Sequence, residues 1–185
     1  MGMPAANPPV STIEELLALP DDGLRHELLD GVHVVTPSPA LRHQRASRHL
    51  VLQLERLLGN RKDLELLTSP ADVRFGATTM VQPDIFVVRQ DPNKPGQQWV
   101  DLPVPALAIE ILSPGTAARD RGQKREIYQR AGVPSYWIVD VDARLVEQWS
   151  PSNQRPELFR ESFEWRVDLE SLGRIDLPVL FAKIG

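Results

Sequence analysis

The 185-residue sequence contains no cysteine. Disulfides and thiolate metal sites are thereby excluded, and Asp, Glu, His and backbone oxygens remain as donors for a bound metal. Oxygen donors of that kind suit magnesium or manganese. The sequence also lacks any apolar run long enough to span a bilayer, and its first ten residues, MGMPAANPPV, lack the basic start and apolar stretch of a signal peptide. A cytoplasmic protein without membrane association is expected. Positive charge is not in surplus: the formal charge of -4 argues against coating nucleic acid through overall basicity, though not against local binding. No repeat, low-complexity tract or linker divides the chain, so one domain over 1–185 is expected, with 1–10 as a flexible lead-in.

What is present is a succession of helix and strand signals. Residues 11–19 are expected as a short helix, with Ser11 as N-cap, Glu14 three residues on and Pro20 as the stop. In LRHELLDGVHVVTPSP, Asp30-Gly31 stands between two apolar runs and predicts a hairpin with a type I′ turn, which needs positive φ at both central positions. Over 40–58, Ala46, Leu50, Leu54, Leu57 and Leu58 recur at helical spacing, with Pro37 and Pro39 before and Gly59-Asn60 after. LELLTSP and ADVRF read as a β pair around Ser69-Pro70. TMVQPDIFVVR reads as a buried strand entered through Pro83, with Asp84, Phe86 and Val88 on one face and Ile85 and Val87 on the other. Residues 91–103 form a loop by composition. The apolar run 106–112 suggests a strand buried on both faces and central in its sheet. Thr116 is the expected N-cap of a helix reaching about Ala131, closed by Gly132 and Pro134. SYWIVD and RLVEQWS form an antiparallel pair, and the remainder suggests short strands and turns ending on a small apolar segment.

Several charged residues stand where apolar ones are expected. Glu110 lies inside Leu107, Ala108, Ile109, Ile111 and Leu112, and an ionised carboxylate there needs a partner or a metal. Asp84 opens an apolar strand; it is either a strand-start residue bonded to a backbone amide or a second site carboxylate. On the helix, Asp120, Lys124, Ile127, Tyr128 and Ala131 fall at spacings of three and four. Lys124 therefore sits in the stripe that faces the sheet, and must snorkel out or meet a negative group. Asp120 is either its i,i+4 partner or a member of the site. His43, near the start of the long helix, has a surface or capping role as its plainer account, and Glu27 is an exposed strand position unless a partner meets it. Two basic clusters, one of Arg42, Arg45, Arg48, Arg56, Arg61 and Lys62, the other of Arg119, Arg121, Lys124, Arg125 and Arg130, are either solvated helix faces or surfaces for a phosphate backbone. Asp84, Glu110 and Lys124 make a two-carboxylate-plus-lysine set on adjacent elements. Two carboxylates can hold a magnesium ion that polarises a phosphoryl oxygen, while an ammonium stabilises developing charge, which is the chemistry of phosphodiester hydrolysis.

QPD, followed by EILSPGTAARDRGQKREIYQRAGVPSYWIVD, resembles the Uma-type putative restriction endonuclease family within the PD-(D/E)XK nuclease superfamily. The resemblance covers nearly the whole chain and takes in the RHELLDG hairpin and the SPALRH entry to the long helix. It implies an α/β fold with a restriction-endonuclease-like core, a mixed central β-sheet flanked by helices, and an N-terminal β-hairpin. It implies that Asp84 and Glu110 bind metal, that Lys124 takes the part of the superfamily lysine, and that Glu27, His43 and Asp120 are second-rank site residues. Two residues after Glu110 the superfamily pattern has lysine and this sequence has Leu112, so the ammonium has to come from the helix as a migrated replacement. The function so implied is a DNA endonuclease dependent on Mg2+ or Mn2+, expected as a homodimer because cutting both strands commonly pairs two sites by symmetry. A nuclease-fold module that binds nucleic acid or protein without catalysis is the alternative, favoured by Leu112 and by the net acidity. A hydrolase of small phosphoesters is a third reading.

Overall fold

The computed structural model describes residues 10–91, 98, 102–167 and 170–185; nearly all of the lead-in expected at 1–10 and most of the loop expected at 91–103 lie outside the described residues. In chain order the elements are α1 (Ile13–Leu17), β1 (Arg25–Leu29), β2 (Val32–Thr36), α2 (Leu41–Leu58), β3 (Leu64–Thr68), β4 (Val73–Arg74), β5 (Met80–Val81), β6 (Ile85–Arg89), β7 (Leu107–Ile111), α3 (Ala117–Arg119), a π turn (Asp120–Lys124), α4 (Arg125–Arg130), β8 (Tyr136–Asp140), β9 (Leu145–Trp149), β10 (Glu157–Phe159), β11 (Phe163–Val167), β12 (Glu170–Ile175) and α5 (Leu177–Ala182). Among the described residues no helix is long and apolar enough to cross a membrane.

Strands apolar on both faces occupy the centre. Every residue of β7 is buried, and β7 lies between β8, which runs parallel to it, and β6, which runs antiparallel. The mixed six-stranded sheet has the order β10-β9-β8-β7-β6-β3. One face carries Ile85, Val87, Leu107, Ile109, Trp137 and Val139, packed against Ala46, Leu50, Leu54 and Leu58 of α2, against α5 and against the β11–β12 ribbon. The other face carries Phe86, Val88, Ala108, Tyr136 and Ile138, packed against Ile127 and Tyr128 of α4 and against Leu29, Val73 and Val81. Those last three residues belong to a second sheet, β2-β1-β5-β4. The mixed sheet flanked by helices, the N-terminal hairpin and the alternation of faces over 84–88 are as the sequence predicts. Asp30 (φ 51) and Gly31 (φ 81) give the turn its two positive-φ positions.

Four expectations are corrected, and the apolar C-terminal segment, expected without an assigned form, is found as a helix. Thr12, not Ser11, caps α1: its hydroxyl accepts from the Glu15 amide at 3.2 Å and the Glu15 carboxylate accepts from the Thr12 amide at 3.0 Å. Ser11-Thr12 and Glu14-Glu15 fit a capping box in two registers, and burial of Ile13 and Leu16 accompanies this one. LELLTSP and ADVRF do not pair with each other. The five residues of β3 pair with β6 and the two of β4 with β5, so the two segments lie in different sheets. TMVQPDIFVVR is two strands in two sheets, since Pro83 lacks the N–H that would continue the ladder. The helix expected from Thr116 to Ala131 is interrupted by the π turn, and Thr116 makes no side-chain cap; its hydroxyl instead accepts from the Ser113 amide at 3.3 Å. The C-terminal apolar segment is a helix, α5, capped by Asp176, whose carboxylate accepts from the Val179 amide at 2.9 Å.

The ribbon approaches α2 closely at one residue. Gly173 has φ 131, and a Cβ on it would lie 2.6 Å from Leu57 Cδ2. Gly173→Ala is expected to lower stability by about 1–3 kcal/mol through backbone strain and overpacking, read as a drop in melting temperature. The same substitution should cost less in a Leu57→Ala background. Equal costs in both backgrounds would show that the contact is not the cause.

Candidate active site

The site lies where the two sheets meet. The register pairs Ile85 with Ile109 across β6 and β7, so Asp84 and Glu110, one step further along, stand opposite each other on one face. Asp84 is fixed on three sides: Oδ2 accepts from the Ile111 amide at 2.8 Å and contacts His43 Nε2 at 2.9 Å, and Oδ1 accepts from Arg25 Nη1 at 3.0 Å. Arg25 also donates to the Gln82 carbonyl. Glu110 Oε1 accepts from Lys124 Nζ at 2.8 Å and from the Tyr128 hydroxyl at 3.1 Å. Lys124 therefore does not snorkel. Its ammonium also reaches Glu27 Oε1 at 2.8 Å and Asp120 Oδ1 at 4.0 Å, while Glu27 is held by the Gln82 amide at 2.7 Å.

Glu27, Asp84, Glu110, Asp120 and Lys124 are all buried, which makes their charge balance decisive. Counted as ionised, four carboxylates face two permanent cations, Arg25 and Lys124, a surplus of two negative charges. Burial alone would raise Asp84, but His43, Arg25 and the Ile111 amide outweigh it and hold this carboxyl below its ordinary value. Glu110 goes the other way: burial, with Asp84, Asp120 and Glu27 nearby, pushes it well above the usual range against the pull of Lys124. Burial likewise raises Asp120. Burial disfavours the charged form of Lys124, yet Glu110, Glu27 and Asp120 together keep its ammonium charged. One ammonium cannot neutralise three acids, and the remainder must be met by protons or by a cation from solution.

A cavity of about 240 Å³ opens onto these groups, lined by Glu27, Asp84, Glu110, Asp120 and Lys124 together with His43 and Arg25. Asp120 Oδ1 is buried without a hydrogen-bond partner. Among the described residues no three acidic or histidine side chains converge as a ready-made metal cage. Magnesium does not require one: it is commonly held by one or two carboxylates and completed by water and substrate phosphate. Two opposed carboxylates, an acid oxygen without a hydrogen bond and two more acids than permanent cations fit a divalent cation.

All six residues singled out from the sequence, Asp84, Glu110, Lys124, Glu27, His43 and Asp120, line this one cavity. Arg25 was missed, although its place two residues before Glu27 on β1, which puts both side chains on one face, was a readable signal. Tyr128 and Gln82 were missed as well. The second basic cluster is largely used up inside the protein: Lys124 is buried, Arg121 pairs with Glu147 at 2.7 Å and Asp140 at 2.8 Å, Arg130 pairs with Asp30 at 2.6 Å, and Arg125 lies over the Trp149 ring. On and after α2, Arg42 pairs with Asp142 and Arg61 with Asp63 and Glu170, while Arg48, Arg56 and Lys62 are exposed.

The Uma2 family, described as putative restriction endonucleases, matches residues 13–179, a span that includes every residue of the site. The chain belongs to that family. A crystal structure of a putative nuclease belonging to DUF820, from Anabaena variabilis, is similar over 94% of this chain and 99% of its own, with a TM-score of 0.76 and 22% identity. At that identity the likeness is one of fold. No curated protein matches significantly. The family is thus one described by nuclease activity, and the fold is shared with the Anabaena protein.

Lys124→Met leaves three buried acids without their shared cation. A stability loss of about 3–5 kcal/mol is expected at pH 8. Glu110 and Asp120 have raised folded-state pKa values, so the fold binds their protons more readily than the unfolded chain does, and the loss should shrink as pH falls toward 5. Combining Lys124→Met with Glu110→Gln should recover part of it. Denaturant titrations at the two pH values are the check, and a deficit independent of pH would contradict the charge balance given above.

Proposed function

We propose that the protein is a metal-dependent DNA endonuclease, with Asp84 and Glu110 as ligands of Mg2+ or Mn2+ and Lys124 as the cation beside them. The observation that carries this reading is the 2.8 Å contact of the Lys124 ammonium with Glu110, which supplies from the helix the charge that Leu112 cannot. When bound, the ion supplies a Lewis acid to the phosphoryl group. The chain supplies the rest. Lys124, held charged by its acids, donates hydrogen bonds and stabilises negative charge on a pentavalent phosphorus; being charged, it does not act as a base. Glu27, pinned by the Gln82 amide, fixes the ammonium from the far side. Tyr128 orients the Glu110 carboxylate, and the Ile111 amide orients that of Asp84. Asp120, raised by burial and with one oxygen unpartnered, is placed to accept a proton from water in the cavity. Exposed Arg48, Arg56 and Lys62 meet the phosphate backbone. The reading extends to one nuclease domain over 1–185 and to a homodimer in which two sites serve two strands.

One observation favours the non-catalytic alternative: Asp84 is already engaged by Arg25 and His43. Two measurements separate the readings. Supercoiled plasmid incubated with Mg2+ or Mn2+ should be cleaved by the wild type, and at least about 100-fold more slowly by Asp84→Ala and by Lys124→Ala. An inert wild type, or variants that cut as well, would remove the nuclease reading. In calorimetry, Mn2+ at a hundredfold excess over Kd should stabilise the fold by about 2.7 kcal/mol, roughly 5–10 °C for a chain of this size, and Glu110→Ala should abolish the gain. A binding module without a metal site shows no gain in either protein.

A further inference from the structure

Seven buried side-chain polar atoms lack a partner among the described residues, and four of them, Arg25 Nε, His43 Nδ1, Gln82 Oε1 and Asp120 Oδ1, belong to residues around the site. Native proteins leave few such atoms, and a cluster of them marks a place built for something else to occupy. Two cavities adjoin there. The acidic one of about 240 Å³ and a second of about 370 Å³, lined by Gln44, Ser47, Ser69 and Gln82, share Arg25, Pro39, His43 and Asp84 as common walls. The second is less acidic than the first, with Asp21 as the one acid that it does not share, and its size suits one nucleotide unit.

Arg25 stands between them with its side chain 18% exposed. In this structure its guanidinium neutralises Asp84, so it and a divalent ion compete for one carboxylate. Two cations cannot share that seat without repulsion. The guanidinium has a second tether, the Gln82 carbonyl, which keeps it in the shared wall when it leaves Asp84. A further positive element faces the same space: α2 begins at Ala40 without a side-chain cap and with no acid in its first turn, and Pro39 and Ala40 line the acidic cavity. The N-terminus of an 18-residue helix left open in this way favours an anion.

Resting on the nuclease reading, we propose that Arg25 is a two-position cation: it sits on Asp84 in the free protein and moves to a phosphate of a nucleic-acid strand laid across the two cavities once a divalent ion takes Asp84. Its planar fork suits both stations, since carboxylate and phosphate are each recognised by paired N–H donors. The move makes ion and strand cooperative. The ion frees the guanidinium, and the strand's phosphate holds it away from the ion's ligand.

The test uses the full-length protein, with Mn2+ alone in titration calorimetry and a fluorescein-labelled 12-mer deoxyoligonucleotide with Ca2+ in anisotropy. Arg25→Gln should bind Mn2+ about fivefold or more tightly than wild type, because a competing cation is gone. It should bind the oligonucleotide about tenfold more weakly, and the slope of log affinity against log salt should fall by about one. Arg25→Lys, which keeps the charge and loses the fork, should recover part of the oligonucleotide affinity and the full salt slope. A merely structural arginine would weaken both ligands together. If wild type binds no Mn2+, the nuclease reading falls and this proposal with it. If wild type binds Mn2+ while Arg25→Gln binds it no more tightly, or the salt slope is unchanged, the proposal alone falls. If Arg25→Gln does not fold, Arg25→Lys decides: Mn2+ and oligonucleotide affinities both equal to wild type overturn the two-position role.

Discussion

One ammonium shared among three buried carboxylates is the constraint on which the site depends. Lys124 Nζ lies 2.8 Å from both Glu27 and Glu110 and 4.0 Å from Asp120, and removing charge from water on this scale is favourable only while the partners stay matched. Each acid arrives from a different part of the fold: Glu27 from the hairpin sheet, Glu110 from the central strand, Asp120 from the helix. The lysine is therefore a structural tie between three elements as well as a chemical group. The match is incomplete by design of the numbers, since Asp84 adds a fourth acid and Arg25 only a second cation. A fold that keeps such an imbalance forgoes stability that an apolar cluster would have given, which is the usual relation between stability and an active site.

Topology makes the arrangement reproducible. Antiparallel pairing of β6 with β7 sets Asp84 across from Glu110 without help from any side chain, and parallel pairing of β7 with β8 sends the chain through the intervening helix, on the face where both acids point. Pro83 then breaks the chain between the sheets, and Gln82 just before it meets β1 twice: its amide holds Glu27 and its carbonyl accepts from Arg25. Gln123 closes the remaining side by donating to the Leu29 carbonyl at 3.0 Å.

Much of this is legible in residue pattern because it rests on local periodicity. Glu110 announces itself by interrupting an apolar run, and Lys124 by falling in the helical stripe with Ile127 and Tyr128. The alternation over 84–88 and the apolar spacing of α2 follow from burial alone. Other features have no local signature. The pairing of β3 with β6 joins segments some twenty residues apart, and nothing in LELLTSP indicates the partner. The strand period puts Arg25 on the face of Glu27, but its contact with Asp84 appears only when the second sheet is folded against the first. The arginines on and before α4 look like a basic surface, and only the folded chain, with Asp140 of β8 and Glu147 of β9 against Arg121 and Asp30 against Arg130, reveals how many are already paired. The capping box at α1 fails as a prediction by one residue, because doubled hydroxyls and doubled glutamates leave two registers equal.

The π turn over Asp120–Lys124 sets the phase of the helix on either side of it. A π turn is what an α-helix becomes when it accommodates one extra residue without shifting the turns on either side. Here the extra residue falls in the segment that carries the two helical members of the site, while Ile127 and Tyr128 beyond it still meet the sheet. A gain or loss of one residue between the Ser-Pro-Gly turn and Tyr128 would therefore turn either Lys124 or the apolar face of α4 away from the sheet, a change that a surface helix would tolerate.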